Sequence, residues 1–151
     1  MSEEFPTLIG KFIHLCGAIE FLINNSIRFF SRDKLLSNFA IESPLNKRIN
    51  LLRQLLLDRS EINKDEIESL CNELKKLSEQ RNKVAHNPII WEKPNGSGTE
   101  EILVLRNKPG KGTDQQRITK EDVKKLVKQT SQIIKKIESL IPDATKYEDG
   151  G

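Results

Sequence analysis

The residue types on which catalysis and cross-linking most often depend are scarce in this chain. It has two histidines, two cysteines, one tryptophan, one tyrosine and one methionine in 151 residues. Cys16 and Cys71 form no CxxC pair and fall on apolar helical positions. They are expected to be buried free thiols in a reducing compartment, not a disulfide or a zinc site. No cluster of ligand-type residues calls for a metal, so none is expected. A long unbroken apolar run is also missing. The most apolar region, Phe12 to Phe30, is interrupted by His14, Glu20, Asn24, Asn25 and Arg28, so a bilayer-spanning role is not expected. Met1-Ser2-Glu3-Glu4 holds no basic n-region of a signal peptide, and the expected location is the cytoplasm. Gly96-Ser97-Gly98 and Pro109-Gly110-Lys111-Gly112 lack the strand-loop-helix setting and the Gly-Lys-Ser/Thr order of a phosphate loop. No nucleotide or other cofactor is therefore implied. Charge of either sign is not in large excess: 25 Lys and Arg against 22 Asp and Glu give +3, which permits nucleic-acid binding without demanding it.

What the chain does have is helical periodicity. Phe5, Leu8, Ile9, Phe12, Cys16, Ile19, Ile23, Ile27 and Phe30 recur at three- and four-residue steps and predict a first helix over 5–30. A second row, Leu8, Leu15, Leu22 and Phe29, implies that this helix packs on two sides, within a bundle or against a partner subunit. Arg32 to Ala40 reads as a short helical or irregular connection. Ser43 as N-cap with Pro44 at the first position opens a second long helix. Asn63, with Glu66 three residues on, opens a third, whose buried face is Ile67, Leu70, Cys71, Leu74, Leu77, Val84 and Ala85. Pro88 stops it, because the residue before a proline is pushed out of the helical region. Ile89-Ile90-Trp91 and Ile102-Leu103-Val104-Leu105 read as a β-hairpin, and 107–116 as a polar loop. A fourth helix starts at Thr119 and runs to Ile141. The expected fold is thus all-α: one domain over 1–151, an up-and-down helical bundle of about four main helices, with a β-hairpin inserted between helices 3 and 4 and 142–151 as a flexible tail.

The segment Arg81-Asn82-Lys83-Val84-Ala85-His86-Asn87-Pro88, where the third helix runs out, concentrates the chemistry. Cleaving RNA without a metal needs a base to deprotonate the 2′-hydroxyl, an acid to protonate the 5′-oxygen, and a fixed cation for the phosphate charge. An imidazole, with its ordinary pKa of about 6.5, suits the proton transfers, which assigns them to His86. A planar guanidinium can grip two phosphate oxygens, which assigns the charge to Arg81. Asn82 would orient the phosphate or hold one histidine tautomer. Five helical residues turn through about 500°, leaving Arg81 and His86 about 140° apart around the axis. Either the helix ends early and swings His86 inward, or two chains dock so that both motifs line one cleft. The dimer is the favoured expectation.

This Arg81-Asn82-x-x-x-His86 pattern at a helix end resembles that of the HEPN ribonucleases. The resemblance spans about residues 5 to 141 in layout, and only Arg81, Asn82 and His86 match specific motif positions. It implies a helical bundle, a homodimer with a composite Arg/His site, and RNA cut to a 2′,3′-cyclic phosphate and a 5′-hydroxyl. A toxin or antiphage setting, with an antitoxin or other regulatory partner, is implied with it. Members tend to carry an acidic or polar residue on the first long helix, and Glu20 is the match. A toxin subgroup has a tyrosine two residues after the histidine; here Pro88 stands there, which removes that route of regulation. Lys83, Asn87 and Trp91 are candidate substrate contacts, the tryptophan by stacking on a base.

Plainer readings stand beside these. A last-turn histidine followed by Asn-Pro is also an ordinary helix end. An acid at the edge of a helix face is more often solvated than functional. Lys120, Lys124, Lys125, Lys128, Lys135 and Lys136 make the last helix basic on its outer side, most simply as a solvated face. The contrasting function is a non-catalytic helical module that binds RNA or a protein, or dimerises.

Overall fold

Pro6 lies in the first turn of the first helix, where its missing N–H has no intrahelical role, and no further proline occurs before Pro44. One uninterrupted helix of 27 residues results. The computed structural model describes residues 4–86, 89–92, 100–104 and 117–146. Its class is all-α with five helices: α1 (Phe5–Ser31), α2 (Lys34–Ile41), α3 (Leu45–Arg59), α4 (Lys64–Ala85) and α5 (Lys120–Leu140). A 3-10 turn, Pro142–Thr145, follows α5.

The expected count of four helices is too low. Asp33 makes the difference: its side chain accepts the N–H groups of Leu35 and Leu36, which caps a separate helix, α2, in the stretch read as a connection. With α2 counted, the third and fourth helices of the sequence reading are α4 and α5, and three short strands fall between them: β1 (Ile89–Glu92), β2 (Glu100–Val104) and β3 (Arg117–Thr119). They pair antiparallel in the order β1-β2-β3, with Ile90 opposite Ile102 and Leu103 opposite Ile118. The polar loop expected over 107–116 and the chain end 147–151 lie outside the described residues.

Two other local expectations change. Pro44, not Ser43, is the N-cap of α3, and the Ser43 hydroxyl donates back to the Phe39 carbonyl at 3.1 Å. The segment expected as a tail packs onto the bundle: Ala144 is fully buried, and its carbonyl accepts from Asn25 Nδ2 of α1 at 3.1 Å. Other boundaries follow their caps. Asn63 accepts from the Asp65 N–H to open α4, and Thr119 opens α5 through a reciprocal capping box with Asp122.

α1 is the centre of the bundle and touches α2, α3, α4, α5 and the 3-10 turn. By length and composition alone it is apolar enough to cross a membrane, despite its polar interruptions. Here its Phe5, Phe12, Ile23 and Ile27 pack with Ile49, Leu52 and Leu56 of α3, Leu70 and Leu74 of α4, and Ile137 of α5. The buried polar groups are bonded within the fold: Ser26 to the Leu22 carbonyl, and Ser31 to Ser37 of α2 at 2.6 Å. Ala85, expected inward, is exposed. The second row on α1 is not a spare face. Leu8 and Leu22 are buried in this chain's own core, Leu15 is half-buried, and Phe29 alone is exposed.

Candidate functional site

The end of α4 packs against α1 and α3, and this brings two of the sequence candidates to one place. Arg81 of α4 and Glu20 of α1 line a small cavity with Cys16, Ile49 and Ser78. Its volume of about 20 Å3 suits roughly one water molecule. Glu20 is there because it follows the buried Ile19 at the edge of the α1 stripe. Arg81 is there because it lies one turn beyond the buried Leu77 and Ser78.

Arg48 of α3, which sequence reasoning missed, completes the group. Its side chain is only 12% exposed, and all three guanidinium nitrogens are engaged. Nε donates to the Ser43 carbonyl at 3.0 Å, and Nη1 donates to Asn24 Oδ1 at 3.0 Å. Nη2 stands 3.8 Å from Glu20 Oε1. The carboxylate of Glu20 is thereby drawn to Arg48. Arg81 has no carboxylate within ion-pair distance among the described residues. Among the described residues its one hydrogen bond is a long one, from Nη1 to Asn82 Oδ1 at 3.4 Å. A guanidinium carries five N–H donors, so a half-buried Arg81 keeps most of its capacity for an oxyanion.

His86 is placed differently. α4 ends at Ala85, and His86 is the C-cap residue at φ −108° and ψ 4°, its N–H donating to the Asn82 carbonyl at 3.2 Å. The helix does stop before the histidine, but His86 is exposed and no bond joins it to Arg81. The inward swing that would complete a site within one chain does not occur. Asn82 is the joint between the two, with its side chain on Arg81 and its backbone on His86. Lys83 is half-buried. Trp91 lies in β1 with its backbone opposite Glu101, five residues beyond His86. Asn87 is outside the described residues.

The two thiols are chemically quiet. Burial pushes the Cys16 thiol up to about 11, with Arg81 pulling it down and Glu20 pushing it further up. Burial likewise raises Cys71 to about 11. Neither is a thiolate near neutrality, so neither is a nucleophile. Among the described residues no group of three His, Cys, Asp or Glu could hold a metal ion.

A larger groove of about 500 Å3 runs between α4 and α5, with Leu126 and Ile133 on its floor and Gln80, Gln129, Gln132 and Lys76 at its rim. Leu77 lines both hollows, which lie on adjacent faces of α4. Size favours the groove as a ligand site, but chemistry favours the Arg81 cavity, where a half-buried guanidinium has no carboxylate within ion-pair distance among the described residues. Lys136, at the end of the groove, is already tied to Ser69 and Glu73 at 3.2 and 3.3 Å. The basic face expected on α5 is partly spent in the same way, with Lys124 paired to Glu121.

No protein-family model, curated protein or solved structure matches this chain.

Proposed function

We propose that this protein is a metal-independent endoribonuclease that acts as a homodimer, with Arg81 binding the scissile phosphate and His86 moving the protons. The observation that carries this reading is the half-buried Arg81, beside a cavity, with no carboxylate within ion-pair distance among the described residues and about one turn before an exposed imidazole. A phosphodiester supplies the missing anion, and a bidentate grip on its oxygens stabilises charge that grows in the transition state. His86 then takes the 2′-hydroxyl proton, and its counterpart protonates the leaving 5′-oxygen.

The placement of the two groups supports the dimer. Arg81 faces the α1 side of α4 while His86 stands in solvent past the helix end, so a second chain is needed to complete the constellation. In this reading the long helices form an up-and-down bundle, and β1 and β2 are a hairpin that follows directly after the motif. The cytoplasm is the compartment that fits. The toxin or defence setting, and an antitoxin, rest on the HEPN resemblance alone.

The test is cleavage of a mixed single-stranded and structured RNA in chelator by the wild type, Arg81→Gln and His86→Gln, with products assayed for a cyclic phosphate. Loss in both variants, with dimerisation unchanged, supports the reading. Equal cleavage by all three, or none by the wild type, ends it.

One observation favours a second reading, a non-catalytic interaction module. α2 turns its small residues, Ser37 and Ala40, inward and holds Leu35 and Phe39 outward at 81% and 72% exposure. An apolar face of that kind marks a contact surface. It lies on a separate helix that begins more than ten residues beyond Glu20 along the chain. A pull-down that depends on Leu35 and Phe39, with no RNA cleavage, would establish it.

A further inference from the structure

An arginine that waits for a phosphate must not be neutralised by its own protein. Glu20 is the carboxylate best placed to do so, since it lines the same small cavity as Arg81. Arg48 also reaches that carboxylate, with Nη2 3.8 Å from Oε1. It is also the better-anchored of the two cations. Its fork is fixed at two corners, on the Ser43 carbonyl and on Asn24 Oδ1, both at 3.0 Å, and it is nearly buried. Among the described residues Arg81 holds only the 3.4 Å bond to its neighbour Asn82. Two guanidinium groups thus flank one carboxylate, and the rigid one claims it.

We infer that Arg48 is a positioning residue for the Arg81 anion site: by holding Glu20 it keeps the Arg81 guanidinium open for phosphate. This rests on the reading of Arg81 as the phosphate-binding cation. Pairing with an exposed or half-exposed carboxylate is a weak competitor, but it acts on the same donors that the ligand needs. Without Arg48, Glu20 (37% exposed and on a flexible stem) turns to Arg81, which lines the same cavity. Arg48 therefore raises affinity without touching the ligand.

The experiment measures binding of a labelled single-stranded RNA oligonucleotide in chelator and low salt, by anisotropy. The full-length variants are Arg48→Gln, Glu20→Gln, the double Arg48→Gln/Glu20→Gln, Arg81→Gln and Lys47→Gln. Arg48→Gln is expected to weaken binding about fivefold, the factor that a competing surface-strength ion pair is worth. The double variant is expected to return to near wild-type affinity, because the released competitor is gone. Lys47→Gln, an exposed neighbour, removes the same charge without freeing Glu20 and reports the plain electrostatic loss. Arg48→Gln no weaker than Lys47→Gln, or a double variant as weak as Arg48→Gln, overturns the inference. Should Arg48→Gln fail to fold, Glu20→Gln alone decides: equal or tighter binding supports competition, and weaker binding overturns it. Unchanged binding by Arg81→Gln is a separate failure, of the phosphate reading itself, and it takes the role of Arg48 with it.

Discussion

The arginines of α3 and the arginine at the end of α4 have the same chemistry and opposite circumstances. On α3, Arg48 is fixed to α1 and to the Ser43 carbonyl, and Arg53 grips both carboxylate oxygens of Glu68 on α4, with Nε at 2.9 Å from each. Arg59 donates to the Phe30 and Ser31 carbonyls, both at 2.6 Å, and so satisfies the open end of α1. Each is a strap between helices. Among the described residues Arg81 spends one long bond on its own neighbour. The difference teaches that a cation's role is set by what already surrounds it. A guanidinium bonded across two helices holds the fold, and one without such a partner beside a cavity can hold a ligand.

That contrast can be broken or sharpened by measurement. The largest effect belongs to the shared core on which both sets of arginines depend. Phe12→Ala, at a fully buried position on the central helix, is expected to cost about 3–5 kcal/mol in urea unfolding. A loss under about 1 kcal/mol would mean that α1 is not the centre of the bundle.

Next comes Arg81→Gln. Removing one preorganised charge donor is expected to lower RNA cleavage about 100-fold, while the melting temperature stays close to that of the wild type. A large fall in melting temperature instead would place Arg81 among the straps, and the contrast would disappear. Arg59→Met should behave in the opposite way. It strands two carbonyls at the end of α1, with a stability loss of about 1 kcal/mol and RNA binding intact.

The smallest effect is a pH dependence. The Arg53 guanidinium holds the Glu68 carboxyl below its ordinary range. A carboxyl depressed in the folded state adds stability that is fully present above its unfolded pKa, about 4.3, and is lost as pH falls through the lower folded value. Stability measured from pH 5 downward should therefore fall in the wild type with a component that Arg53→Met lacks. Parallel acid limbs in the two proteins would show that this strap carries no linked protons.

Much of the bundle was legible beforehand because burial repeats along a helix. The α1 stripe from Phe5 to Ile27, the α4 stripe from Ile67 to Leu77 and the inward residues Val123, Ile133 and Ile137 of α5 were all readable from three- and four-residue spacing. α2 was harder, because its outward Leu35 and Phe39 and inward Ser37 and Ala40 invert the usual pattern. Ala144 was missed for another reason: a short Pro-Asp-Ala-Thr segment shows no periodicity, and its burial depends on a bond from Asn25, 119 residues away.

The candidate site divides along the same line. Sequence alone supplied the groups, Arg81, Asn82 and His86, and the point at which the helix must end before Pro88, since residue chemistry and backbone sterics are local properties. It also suggested Glu20. Only the tertiary structure brought Glu20 and Arg81 to one cavity, introduced Arg48 from a third helix, and left His86 in solvent. Those outcomes depend on how helices cross and on which charges find partners first, and neither is written in the spacing of any single segment.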